Sequence, residues 1–333
     1  MTNILIFLKL LKIINFQRTY NLFKLSFSYC LSLVLKRPFL TGMPWSITIE
    51  PTNSCNLNCP ECPTGLKGLS RPVGFIDIDL FKKMILEAKT NAFFLNLYFQ
   101  GEPFLHKNLI NLIKIAKDNR FFTSCATNAH FINEDMAKEI VSSGLDHLVI
   151  SFDGTTQETY EKYRIGGDFE KVKKTIGVLV KSREEQKKSY PVIILQFLIF
   201  RHNVHQIQEA KDIAKKLGVN QLVFKTAQLY DLNSENPYLP DSLSQSRYSR
   251  MSDGTLKLTK SQRNKCWKSW SSCVITWDGR IVPCCFDKDA RYCFGYLDKS
   301  SFRDIIFSDK SREFKREILQ NRKGIDICLN CSE

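Results

Sequence analysis

Three cysteines fall within eight positions of "PTNSCNLNCPECP", residues 51–63: Cys55, Cys59 and Cys62. Disulfides need pairs and a closed zinc site needs four ligands, so a compact odd set of thiols asks for other chemistry. A [4Fe–4S] cluster normally takes one cysteine per iron, and three cysteines leave one iron open to a ligand from outside the protein. The spacing, three residues then two, fits a tight loop around one cube, and "NSCNLNC" supplies turn formers. Half of a zinc site, completed from elsewhere, is the competing reading. A second group lies near the C-terminal end: Cys266, Cys284, Cys328 and Cys331. Four thiolates suit either a cluster with no open iron or a zinc ribbon, because ligand type alone does not choose the metal.

A regular alternation must position the first group. "SITIE" (46–50) reads as a strand, and the cysteine loop follows it directly. Helical spacing then appears at 77–88 (Leu80, Met84 and Ala88 aligned, Asp77 as cap), 109–117, 133–144, 169–188 and 205–218. Between these lie apolar strands at 93–99, 122–127, 147–152, 192–200 and 221–226. Strands that are continuous apolar runs between helices indicate a parallel sheet covered by helices. Six units fall short of a closed eightfold barrel, so the expected fold is an α/β partial (β/α)6 barrel with a small C-terminal cysteine-rich domain. Sites in such sheets sit at the carboxyl ends of the strands, where the cysteine loop lies. The expected boundaries are a basic apolar N-terminal helical segment at 1–45, the barrel at 46–230, a polar, serine-rich linker at 231–262 and the second cysteine unit at 263–333.

The 333 residues carry a net charge of +14, with 43% hydrophobic and 25% charged side chains. No nucleic-acid-binding signature accompanies the basic residues, and no nucleic-acid partner is expected. Residues 1–48 hold Lys9, Lys12, Arg18, Lys24, Lys36 and Arg37 and no acid. Their apolar runs, "NILIFLKLLKII" and "LSFSYCLSLVL", are too short to span a bilayer. Lysines interrupt the apolar stretch, so it is not a signal peptide. It either packs on the domain or lies as a basic amphipathic segment on a membrane surface.

The cysteine loop resembles that of the radical S-adenosylmethionine (radical SAM) enzymes. In that family the open iron binds the amino and carboxylate groups of SAM, and the reduced cluster cleaves SAM to a 5′-deoxyadenosyl radical that takes hydrogen from a substrate. "YFQGEP" resembles the family's Gly-Gly-Glu stretch, which implies SAM-amino contacts at Gln100, Gly101 and Glu102, with Gln100 replacing a glycine. "ISFDG" and "YEKYRIGG" place Ser151 and Arg164 where relatives bind the carboxylate and sulfonium end, and an arginine fork suits a carboxylate. Thr127 and Asn128 end the third strand within reach of a ribose, or cap that strand. Glu61 departs from the pattern, since relatives carry an aromatic residue before the last loop cysteine.

The C-terminal unit resembles the SPASM auxiliary-cluster domain. Cys266-x12-Gly279-x4-Cys284 matches its opening and Cys328-x2-Cys331 its close, which implies one auxiliary [4Fe–4S] cluster. Cys30, Cys125, Cys273 and Cys293 read as apolar fillers. Cys285 stands where sulfatase-maturating relatives carry a basic aspartate; it either faces substrate and moves a proton or hydrogen atom, or exchanges with Cys284 as ligand. Tyr98, Gln196 and Lys225 are expected to point into the barrel. The resemblance implies an enzyme that cleaves SAM, oxidises a peptide or small molecule by two electrons, and takes electrons from flavodoxin or ferredoxin. Clusters need reduced thiolates, which favours the cytoplasm, with or without membrane attachment. The rival readings are a non-catalytic iron–sulfur electron carrier and a zinc-stabilised module on a membrane surface.

Overall fold

The computed structural model describes residues 9–230, 232–233, 235–260 and 262–332. Residues 3–8 of the first apolar run lie outside the described residues.

Six parallel strands form the centre: β1 (Ser46–Ile49), β2 (Phe94–Asn96), β3 (Phe122–Thr127), β4 (His147–Ser151), β5 (Val192–Ile199) and β6 (Gln221–Thr226). They lie side by side in chain order, as an open barrel requires. The intervening helices are α2 (Ile78–Ala88), α3 (Leu109–Asp118), α4 (Glu134–Ser142), α5 (Phe169–Glu185) and α6 (Ile207–Lys216), preceded by α1 (Phe16–Leu35). Asp77 caps α2 by accepting from the N–H groups of Asp79 and Leu80. Gly144, at φ +82°, takes the left-handed turn after α4 that favours glycine. Helix α2 is rotated slightly from the expected alignment. Phe81, Met84, Ile85 and Ala88 fill the core, while Leu80 sits at its edge near Gly279, where the C-terminal unit arrives.

The sheet does not stop at β1. Strand β9 (Ser272–Ile275) pairs with β1 in parallel, from Ser46 opposite Ser272 to Ile49 opposite Ile275. Strands β10 (Arg280–Val282) and β11 (Gly295–Tyr296) continue it antiparallel, giving nine strands. The cysteine-rich tail thus shares the barrel's sheet, covering an edge of β1 that would otherwise expose unpaired backbone groups. The polar stretch 231–262 carries a hairpin, β7 (Tyr248–Arg250) and β8 (Leu256–Leu258). Buried Tyr248 anchors it: its hydroxyl accepts from Leu229 N–H at 2.9 Å and donates to Asn330 Oδ1 at 2.7 Å.

Helix α1 packs on the domain through its polar face. Arg18, Asn21, Leu25, Ser28 and Ser32 are buried. The Arg18 guanidinium donates to the carbonyls of Lys89, Ile13 and Arg120 at 2.8 Å. The Asn21 amide exchanges hydrogen bonds with the Met43 backbone at 2.8 and 2.9 Å. The other face of the helix is apolar and exposed: Phe16 is 83%, Phe23 68% and Val34 78% accessible. No helix among the described residues is long and apolar enough to cross a membrane.

Glu50 follows β1 with its side chain fully buried. Its two carboxylate oxygens accept from both terminal nitrogens of Arg71, each at 2.5 Å. The same carboxylate accepts from Trp277 N–H at 3.3 Å, and Arg71 Nε donates to the Lys288 carbonyl at 3.2 Å. Removing one partner of a buried pair strands the other charge. Glu50→Ala should therefore cost about 3–5 kcal/mol, read as a fall in the denaturation midpoint of the anaerobic protein, with Glu50→Met/Arg71→Met recovering part of it.

Helix α7 (Asp309–Asn321) buries Lys315, whose ammonium donates to Ser311 Oγ at 2.6 Å between the rings of Trp270 and Phe294. Burial lowers its pKa to about 7, from the ordinary 10.5. A depressed lysine contributes stability that is present above 10.5 and lost as pH falls through 7. Wild-type stability should rise between pH 7 and 10 by up to about 1.4 kcal/mol per unit, and Lys315→Met should flatten that rise in denaturation curves.

Candidate iron–sulfur and cofactor site

The cysteine loop leaves the end of β1 and is held from several sides. Thr52 Oγ1 donates to the Gly74 carbonyl and accepts from Ser54 N–H, while the Asn53 amide exchanges hydrogen bonds with Pro72 and Gly74. Within the loop, Cys62 N–H donates to the Cys59 carbonyl at 3.2 Å, and Asn58 N–H donates to the Ile165 carbonyl. Gly65 lies against this turn; a Cβ there would come within 2.4 Å of the Cys59 carbonyl oxygen. Cys55, Cys59 and Cys62 gather around one apolar cluster with Leu57 and Tyr163.

Polar donors aim at the sulfurs. Leu57 N–H and Asn128 Nδ2 approach Cys55 Sγ at 3.5 and 3.9 Å, and Arg164 Nη1 approaches Cys59 Sγ at 3.6 Å. Burial pushes the Cys55 thiol up to about 11 and raises Cys59 against the opposing charge of Arg164. The raised Cys55 and Cys59 thiols hold their protons until metal displaces them. Shielded soft donors with N–H groups at sulfur fit an iron–sulfur cluster.

The residues expected to meet SAM surround this loop. Gly101, at φ +76°, lies so close to it that a Cβ would meet the carbonyls of Thr52 and Ser54 at 2.6 Å. Gln100 is buried and accepts from Thr64 Oγ1 at 3.3 Å. The buried Glu102 carboxylate accepts from Thr127 Oγ1 at 2.8 Å and Asn128 N–H at 2.7 Å. Burial raises its pKa to about 7, against those hydrogen bonds. The Thr127 hydroxyl also accepts from Ala129 N–H, which places it behind Glu102 as a positioning group rather than out toward a ribose. Asn128 bridges to the cysteine loop through Asn56 Oδ1 at 2.7 Å. Ser151 ends β4 opposite Gln196 of β5.

Arg164 is locked. Its guanidinium donates to Asp153 Oδ2 at 2.6 Å, and Asp153 Oδ1 accepts from Leu198 N–H at 2.7 Å. Burial works against the Arg164 charge, but Asp153 and Cys59 outweigh it and hold the pKa well above normal. Asp153, in the same "ISFDG" stretch as Ser151, is a site residue that the sequence pattern does not single out; a carboxylate just past a strand end is the signal that marks it. Glu61, where relatives carry an aromatic ring, accepts from Tyr230 N–H at 2.6 Å and from the Asn236 amide at 2.9 Å. It ties the cysteine loop to the chain that follows β6.

The second set also converges. Cys266, Cys284, Cys328 and Cys331 line one enclosed cavity with Arg322, which donates to Cys331 Sγ at 3.2 Å. Burial pushes Cys328 up to about 11 and Cys284 well above the usual thiol range. Cys285 is not among the cavity's lining residues. It packs against Val274, Val282 and Ala290, and its charge bears on Tyr98, Lys225, Tyr230 and Lys288. Cys62 acts electrostatically on Tyr230 and Lys288 as well.

The structure sets a three-thiol loop at the carboxyl end of the first strand of a parallel partial barrel, beside a four-thiol module. The family model of the radical SAM superfamily matches residues 49–214, and that of the SPASM iron–sulfur cluster-binding domain matches residues 266–332. The chain belongs to the radical SAM superfamily and carries a SPASM domain. Together these domains imply a SAM-binding [4Fe–4S] cluster and an auxiliary cluster. The chain is 27% identical to the tungsten-containing aldehyde ferredoxin oxidoreductase cofactor-modifying protein of Pyrococcus furiosus, over 85% of this chain and 86% of that one. It is 27% identical to the PqqA peptide cyclase of Gluconobacter oxydans, over 74% of this chain and 71% of that one. Among solved structures, Streptococcus suis SuiB bound to S-adenosylmethionine shares the fold, with a TM-score of 0.63 at 13% identity over 91% of this chain and 75% of that one.

Asp153→Asn should leave Arg164 without its charged partner and weaken SAM binding roughly tenfold or more. Anaerobic equilibrium binding checks this, with iron per chain as the control that the cluster is still loaded.

Proposed function

We propose that this protein is a radical SAM enzyme that oxidises a peptide side chain by two electrons, with the auxiliary cluster as the first electron acceptor. When bound, the first cluster and SAM supply a 5′-deoxyadenosyl radical that removes a hydrogen atom from the substrate. The chain's own residues do the rest. Glu102 and Gly101 hold the amino end of SAM. Arg164, fixed by Asp153, and Ser151 at the end of β4 hold its carboxylate end. Cys55, Cys59 and Cys62 hold the first cluster, and Cys266, Cys284, Cys328 and Cys331 the second.

The observation that carries this reading is the placement of Cys285. It directly follows Cys284 of the four-thiol cavity, yet stays outside that cavity's lining, packs against Val274, Val282 and Ala290, and acts electrostatically on Lys288, as Cys62 of the first loop does. A substrate there would lie between the two clusters. Burial lowers Lys288 from the ordinary lysine value, against the raising influence of Cys62 and Cys285. Lys288 would receive the proton that leaves the oxidised substrate, with Cys285 beside that path, and Cys266, Cys284, Cys328 and Cys331 would hold the group that supplies an electron acceptor.

A groove of about 400 Å³ between residues 63–69 and 286–291 supports a peptide substrate. Leu66, Leu69, Tyr230 and Phe286 give it apolar walls, and Lys288 and Arg291 with Asp287, Asp289 and Asp326 give it charges of both signs. Named relatives and fold neighbours point the same way: one relative is a PqqA peptide cyclase, and SuiB has been solved with its precursor peptide SuiA. The P. furiosus relative is named for modifying a cofactor, so small molecules belong in the same assay.

The test is anaerobic. The reconstituted protein should hold about eight irons per chain and release 5′-deoxyadenosine when reduced with SAM. A short peptide encoded beside this gene should lose two hydrogens by mass spectrometry. Cys285→Ala should keep the irons and SAM cleavage and lose the substrate oxidation. Normal turnover by that variant would remove Cys285 from the reaction, and no cleavage by a fully loaded enzyme would return the electron-carrier reading.

A further inference from the structure

Helix α1 is inside out. Its buried side chains are mostly polar and hydrogen-bonded, and its outward stripe is apolar. Phe16, Tyr20, Phe23, Phe27 and Val34 recur at steps of four, three, four and seven residues, which at 3.6 residues per turn keeps them on one line. That line lies opposite Arg18, Asn21, Leu25, Ser28 and Ser32. A domain burying its own core would put these rings inward, and a contiguous exposed row of rings marks an interaction surface.

Charge decides what covers it. A groove of about 710 Å³ opens along one flank of the stripe, lined by Tyr20, Phe27 and Phe39 with the cations Lys24, Arg303 and Arg312. Its one acid, Asp304, accepts from the Ser301 hydroxyl at 2.6 Å, and Arg312 Nε donates to the Phe307 carbonyl at 3.2 Å. On the other flank, beside Tyr29, a groove of about 640 Å³ has Lys260, Arg263 and Lys265 among its described lining residues. Lys36 and Arg37 follow the helix, and residues 1–48 contain no carboxylate side chain. Rings between two basic grooves match the layers of an anionic bilayer surface: acyl and interfacial region under the rings, phosphates at the flanks.

We propose that α1 seats this protein on an anionic membrane surface, with its aromatic stripe in the interface and its flanking grooves on lipid phosphates. The helix lies in the plane of the surface and does not cross it. The inference is independent of the reaction proposed above and survives its failure.

The test is flotation of the anaerobically loaded full chain with phosphatidylcholine vesicles, with and without phosphatidylglycerol. The wild type should float with the anionic vesicles only, less so as salt rises. Phe23→Glu/Phe27→Glu should stay at the bottom of the gradient. Lys24→Glu/Arg303→Glu should partition about tenfold more weakly. Both variants should form 5′-deoxyadenosine at the wild-type rate without vesicles, which shows that they are folded. Wild-type protein that fails to float with anionic vesicles overturns the proposal. So does equal flotation on neutral vesicles, or a dimer that Phe23→Glu/Phe27→Glu dissolves in the absence of flotation, which would assign the stripe to a second copy.

Discussion

The Glu50–Arg71 pair is the constraint on which the site depends. A carboxylate and a guanidinium with no access to water must satisfy each other, and their geometry leaves little freedom. Glu50 follows the first strand, Arg71 closes the segment after the cysteine loop, and the remaining bonds of the pair reach Trp277 and Lys288 in the C-terminal unit. One buried contact therefore fixes the loop that holds three thiols against the segment that presents Cys285. The pair earns its keep through position, because buried ion pairs contribute little net stability over an apolar replacement.

Around the first loop the same logic repeats with weaker partners. Asp153 orients Arg164, Thr127 and Asn128 orient Glu102, and Asn128 also reaches Asn56 and Cys55. Each ionisable group is desolvated and each has a designated neighbour, so the pocket is organised before any cofactor arrives. Preorganised polar groups cost no rearrangement at the moment of reaction.

Much of this was legible in the sequence. The cysteine spacings, the strand–helix alternation and the "QGEP" and "SFDG" stretches are local signals, and the elements they mark stand close to where they were expected. What escaped were partners far apart in the chain. Glu50 with Arg71, Glu61 with Tyr230 and Asn236, and β9 with β1 leave no periodic trace, because each is chosen by tertiary packing. Strand β9 is four residues long, too short for alternation to show, and the hairpin β7–β8 is shorter still. Helix α1 misleads in the opposite sense: its apolar residues obey the helical period, yet the period does not say which face is turned inward.

The β1–β9 pairing also orders events in time. Ser46 meets Ser272 across most of the chain, and contacts of such long loop closure form late in folding. Cys266 and Cys284 flank β9, and they join Cys328 and Cys331 around one cavity. The triplet at Cys55, Cys59 and Cys62 is local in sequence, within eight positions. A chain emerging from synthesis can thus gather its first set of thiols long before its second. The first set of thiols is closed by a short stretch of chain, the second by contacts that span the whole C-terminal unit.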